Sequence, residues 1–165
     1  MKGWMVMAAP AALVFVGAAG WMAFRGAPDA PDDPAVPVMP ATVDVAQGET
    51  LYADSCASCH GANLEGQPEW RSPGPDGRLP APPHDETGHT WHHPDRVLFQ
   101  YTKLGGRAAL ALQGVDFDSG MPAFGETLTD QEIWNILGYI QSTWPERARR
   151  VQAERTAADL ANGGN

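Results

Sequence analysis

The apolar and polar positions of this chain fall into stretches with different spacing. From Gly3 to Phe24 there are 22 residues without a charge, between Lys2 and Arg25. That length spans a hydrocarbon core of roughly 30 Å at about 1.5 Å per residue and predicts a transmembrane anchor over residues 1–25. A cleaved secretory signal is the alternative. Its apolar region usually runs to only about 7–15 residues, but Gly17-Ala18-Ala19-Gly20 offers small side chains where a peptidase cuts. The length favours the anchor. Lys2 and the amino terminus are expected on the cytoplasmic side, and both readings export the rest of the chain.

Prolines then stand at 28, 31, 34, 37 and 40, one every third residue. A polyproline II helix has three residues per turn, so residues 26–43 read as an extended spacer with its prolines along one edge. The eighteen residues from Arg25 to Thr42 reach on the order of 55 Å, and Asp29, Asp32 and Asp33 keep them solvated. An irregular linker is the alternative.

Helical spacing begins with Gly48, Leu51, Tyr52 and Ser55 on one face, where Gly48 allows close approach of a second helix. A middle helix is predicted over Pro94 to Leu104, with Pro first, Asp95 in the first turn, Val97, Leu98 and Tyr101 on one face, and Gly105-Gly106 ending it. A third starts at Thr129-Asp130-Gln131-Glu132, a capping box. Ile133, Ile136, Leu137, Ile140 and Trp144 continue it at helical spacing until Pro145. Gly61 to Pro83 is Gly- and Pro-rich and reads as loop. No strand alternation appears, so the expected fold is all-α, one domain over residues 44–145. Residues 146–165 come last as a polar helical extension and tail, its Arg147, Arg149, Arg150 and Arg155 interleaved with Glu146 and Glu154.

Charge narrows the partners. The chain carries 11 Lys and Arg against 20 Asp and Glu, a net charge of −9. Setting aside Lys2, Arg25, Asp29, Asp32 and Asp33 leaves 9 basic and 17 acidic groups beyond residue 40. Acidity of that part argues against nucleic acid and anionic lipid headgroups and predicts partners with basic docking faces.

The candidate chemistry lies in Cys56-Ala57-Ser58-Cys59-His60, the Cys-x-x-Cys-His pattern of covalent c-type haem attachment. Two thiols at this spacing can each add to a vinyl group of one porphyrin, and the next residue then offers an imidazole nitrogen to iron. The alternatives are a chance match, a disulfide or half a zinc site. These are the only 2 cysteines in 165 residues, so no second pair completes a four-cysteine zinc site. No βαβ context supports a thioredoxin-like redox pair. An oxidising compartment would otherwise press two lone thiols into a disulfide, whereas haem attachment consumes both.

Met121, in Ser119-Gly120-Met121-Pro122-Ala123-Phe124, is the only methionine after this motif. Its thioether is a soft neutral donor suited to ferrous iron and to a raised reduction potential; a gap-filling loop methionine is the alternative. No Ser, Cys or Lys constellation points to hydrolysis or group transfer, so the expected role is electron exchange rather than enzymatic catalysis.

Taken together, the helix, the Cys-x-x-Cys-His motif, the Pro-rich loop, the middle helix, the Met-Pro-x-Phe loop and the capped last helix resemble a class I c-type monohaem cytochrome from Thr42 to about Trp144. With anchor and spacer, the chain resembles a bacterial membrane-anchored member of that family. The resemblance implies three to four helices around one covalent haem c, with Cys56 and Cys59 in thioethers and His60 and Met121 on iron. It also implies that the Pro82 carbonyl holds the other nitrogen of His60. The family often has a leucine two residues past that proline; here it is His84. The implied function is single-electron transfer between respiratory or photosynthetic complexes, the domain lying in the periplasm and tethered to the inner membrane. A permanent haem subunit of an oxidase or dehydrogenase complex is the alternative.

His84, His89, His92 and His93 lie within ten residues of one another. Three readings stay open for them. With Trp91 they hydrogen-bond haem propionates or line the haem edge. Asp85, His89 and His93 form a second metal site, for copper or zinc, which would make the chain a metal-handling haem protein. Or one of them replaces Met121 on iron, which would lower the potential.

Overall fold

The computed structural model describes Met1 and residues 37–164. Six α-helices and one 3-10 turn, with no strand among the described residues, make up the fold: α1 Val45–Ser55, α2 Ala57–His60, the 3-10 turn Thr90–His92, α3 Asp95–Leu104, α4 Gly106–Ala111, α5 Asp130–Thr143 and α6 Glu146–Ala161.

Helix α1 starts where the Asp44 carboxylate accepts the Gln47 N–H, satisfying a first-turn donor that has no partner within the helix. Helix α5 starts at the expected capping box, with Thr129 and Glu132 each bonding the other's backbone N–H. The two helices cross at Gly48. A Cβ there would sit 2.0 Å from the Asn135 carbonyl oxygen, so only glycine permits the approach. Asn135 is buried, and its side chain fixes the crossing: Oδ1 accepts from the Asp44 N–H at 2.9 Å and Nδ2 donates to Gln47 at 2.5 Å.

Around this crossing lies the apolar core of Tyr52, Leu64, Leu98, Phe99, Ile133, Trp134, Ile136, Leu137, Ile140, Trp144 and Ala148. Phe99 and Trp134 stack with centroids 4.4 Å apart. The face of α3 that enters it is Asp95, Leu98, Phe99 and Thr102; Val97 and Tyr101, expected there, are only half-buried. The core-facing stripe is therefore rotated by about one residue, because the large Phe99 ring wins the place against α5.

Three expectations change. Residues 37–43 were expected in an extended spacer, but the Met39 N–H donates to Asp95, Thr42 accepts from Gln131 and Val43 packs over Gly138. The spacer expected over 26–36 lies outside the described residues. Second, the polar helical extension expected over 146–165 is seen as α6, and it is docked on the domain. Ala148 and Gln152 are buried, Gln152 donates to the buried Asp95 carboxylate at 2.6 Å, and Arg96 pairs with Asp159 at 2.8 Å through mostly buried side chains.

Third, the transmembrane helix expected at residues 1–25 falls outside the described residues, apart from Met1. Among the described residues no helix is long and apolar enough to cross a membrane. The longest, α6, has 16 residues, which rise about 24 Å against a core of roughly 30 Å, and it is highly charged. The fold class is corrected to all-α, with no transmembrane element among the described residues. The membrane-anchored type, the membrane as a partner and single-pass placement in the inner membrane are not retained.

Candidate haem-attachment site

The Cys-x-x-Cys-His motif directly follows α1: Cys56 is a one-residue break and Ala57–His60 make the four-residue α2. The turn is held tightly. The Cys59 and His60 N–H groups both donate to the Cys56 carbonyl, at 3.1 and 3.0 Å, and the Tyr52 hydroxyl donates to the Gly61 carbonyl at 2.9 Å. Both cysteines are free thiols, Cys56 half-buried and Cys59 exposed. Burial and the neighbouring Cys59 push the Cys56 thiol up to about 11, so it rests as the protonated thiol at neutral pH.

His60 is 8% exposed, and its Nδ1 lies 2.9 Å from the Pro82 carbonyl. A carbonyl only accepts, so Nδ1 carries the proton and Nε2 keeps its lone pair. Burial lowers the His60 pKa, outweighing the opposing pull of the Pro82 bond, and keeps the ring neutral and ready to donate to a metal. The expected partnership of His60 and Pro82 is thus seen as a hydrogen bond. This donor set, two unpaired thiols beside a neutral imidazole with a free Nε2, fits haem c.

Met121 is half-buried in the stretch between α4 and α5. Backbone bonds fasten that stretch to α3 and α4: Gly106 N–H to the Met121 carbonyl at 3.1 Å, Phe124 N–H to Thr102 at 3.1 Å, and Gly125 N–H to Lys103 at 3.0 Å. Gly105 makes the latch feasible. Its φ of 80° and ψ of 157° suit glycine alone, and a Cβ would meet the Ala123 nitrogen at 2.9 Å. Asp118 ties the loop to the segment after the motif, pairing with Arg78 at 3.0 Å and also with Arg107.

The histidine-rich segment separates into unlike parts. His84 stacks on His60, centroids 4.0 Å apart at 21°, so it shares the side of the site that His60 occupies. His89 stacks on Trp70 at 5.2 Å and meets His93 edge-on at 5.4 Å. Trp91 stacks on His92 at 3.7 Å and gives its indole N–H to the Glu86 carbonyl at 3.4 Å, a donor the propionate reading needed. Asp85 accepts from Thr87. Among the described residues no group of three or more His, Cys, Asp or Glu side chains is arranged to hold a metal ion. The second site expected at Asp85, His89 and His93 is therefore not assembled: the two rings meet edge to face and the carboxylate is engaged within its own turn.

Trp144, Thr90 and Leu64 complete the surroundings of the motif, and sequence spacing did not mark them as such. The Trp144 indole donates to the His84 carbonyl at 2.7 Å, and Thr90 Oγ1 lies 2.8 Å from His84 Nδ1. Leu64 is buried at a φ of +68°, an uncommon conformation for a bulky side chain, and its carbonyl accepts the His84 N–H at 2.8 Å. Trp144 was legible as a core position; its polar end was not.

Comparison with known proteins agrees with this geometry. A gluconate 2-dehydrogenase cytochrome c subunit from Pantoea cypripedii is 29% identical over 127 residues, 72% of this chain. The match takes in only 24% of that relative, so the chain spans about a quarter of its length. No solved structure gives a significant match. Residues 45–144, from the start of α1 to the end of α5, match the family model for cytochrome c, and the chain belongs to the cytochrome c family of electron-transfer domains carrying covalent haem c.

Proposed function

We propose that this chain is the haem c electron-transfer subunit, or domain, of a dehydrogenase complex, receiving single electrons from an oxidising partner and passing them on. The observation that carries this reading is the similarity to a dehydrogenase cytochrome c subunit over 72% of the chain. It favours stable membership of a complex over the free shuttle expected from the sequence. The substrate of the partner enzyme is a further proposal, and a small hydroxylated compound such as gluconate is the first to try.

In this reading Cys56 and Cys59 would form the two thioethers, and His60 Nε2 and the Met121 thioether would bind the iron. When bound, the haem supplies reversible one-electron exchange at iron. Pro82 holds the His60 tautomer, which sets the basicity of Nε2. The core under α1 and α5 excludes water from the His60 side, and a Met/His ligand pair favours the reduced state. The acidic surface gives docking a basic partner face to meet.

The test is affinity purification of the full chain from its source. Stoichiometric recovery with a flavin- or quinone-dependent dehydrogenase, surviving high salt, supports the reading. Recovery of the haem protein alone, with association that salt abolishes, would return the free shuttle to first place.

A further inference from the structure

His60 is held at one point by Pro82, and one bond does not fix a ring. A carbonyl oxygen accepts over a broad range of directions, so the Nδ1 bond sets where that nitrogen lies while leaving the ring plane soft. The structure supplies a second constraint. His84 lies nearly parallel to His60, centroids 4.0 Å apart and 21° between planes.

His84 is itself fixed from several sides. Its Nδ1 bonds Thr90 Oγ1 at 2.8 Å, and Thr90 is buried. Its carbonyl takes the indole N–H of Trp144 at 2.7 Å, and its N–H reaches the Leu64 carbonyl at 2.8 Å. Tyr52 meets it edge-on at 6.4 Å. A surface histidine has no use for such an arrangement, and a space-filling residue needs no polar partner for its ring.

We infer that His84 is a positioning residue for His60: its clamped ring stacks on the His60 imidazole and fixes the plane in which Nε2 is presented. The inference rests on the reading of His60 as an axial ligand. The plane of an axial imidazole decides how its π orbital overlaps the metal d orbitals, so a positioning role acts on the electronic structure of the iron as well as on stability. Leucine at this place would fill space equally well and impose no plane.

The test compares haem-loaded, full-length wild type with His84→Leu, His84→Phe and Thr90→Val. It uses electron paramagnetic resonance of the oxidised form, a redox titration and a melting curve. His84→Leu should change the g-value anisotropy and shift the midpoint potential. Thr90→Val, which keeps the His84 ring but frees it, should give a smaller change in the same direction. His84→Phe, which keeps a flat ring, should lie nearer wild type than His84→Leu does. Wild-type g values and potential in both His84→Leu and Thr90→Val, even with lowered melting, would overturn the inference and leave His84 a packing residue. Failure of the underlying reading looks different: a pyridine haemochrome assay would find no covalent haem in wild type, or His60→Ala would keep the axial-ligand spectrum.

Discussion

The segment that carries His60 and the segment that carries Met121 are held by different physical means. Around His60, buried side chains add to the backbone bonds of the turn: Tyr52 on Gly61, Trp144 on His84, and a ring stacked on the imidazole. Around Met121 the holding is backbone to backbone, through three bonds to α3 and α4, with an exposed ion cluster at Asp118. Trp144 and Tyr52 are 2% and 1% exposed, whereas Met121 is half-buried and Val115, earlier in its segment, is 45% exposed. Buried side-chain contacts are dense and hard to rearrange, while a surface loop opens at lower cost. The difference teaches that the His60 side is the rigid reference and the Met121 side the adjustable one.

The largest effect should come from Trp144→Ala. Losing a buried Trp side chain costs about 3–5 kcal/mol, and the His84 carbonyl loses its donor as well. Denaturant unfolding measures the first effect; a loss close to zero would show that the His60 side is not core-held. Next comes Gly105→Ala, where a side chain must adopt a glycine-only conformation at a cost of about 1–3 kcal/mol. Because the Cβ would meet the Met121 segment, the latch should loosen too. Increased amide exchange confined to residues 119–125 would show this.

Met121→Ala should separate the two regions most cleanly. Stability should fall little, since the residue is half-buried, while the midpoint potential drops and the axial-ligand spectrum changes. An unchanged potential and spectrum would remove Met121 from the site.

Acid should act on the histidine-rich segment. Burial, followed by nearby His89, His92 and Arg155, lowers the His93 pKa from its ordinary 6.5; burial, followed by His92 and Arg71, does the same for His89. Between each lowered value and 6.5 the unfolded chain binds the proton and the folded one does not. Stability from these residues is therefore complete above 6.5 and is lost as pH falls below it. Melting temperatures should decline on acidification through that window, and His93→Gln should flatten the decline. The smallest effect belongs to Asp118→Asn. Its partners are exposed, so destabilisation should be visible at low salt and vanish at high salt.

The parts of the fold and site that were legible in the sequence were local ones. The thiols and imidazole of Cys56, Cys59 and His60 carry their chemistry within five residues. The Thr129 capping box declares a helix start within four, and Gly48 announces a close crossing because no other residue lacks a Cβ. Residue spacing did not reveal the rotated face of α3, where Phe99 displaced Val97 and Tyr101, nor the short α4, too brief to show a period. It also left a metal set of Asp85, His89 and His93 open as one of three readings, since nearness along a chain says nothing about which way turn-borne side chains point.

The sequence by itself determined that this is an all-α cytochrome c domain, with its haem-attachment motif, its candidate donors and its acidic character, because each rests on residue identity and short spacing. Only the tertiary structure decided how those donors are held. Asp95 meets Gln152 across 57 positions and Trp144 meets His84 across 60, and such pairings arise from how the helices pack. Packing docked the polar helical extension onto the domain. It also turned one member of an unexplained histidine run into the ring that lies against His60.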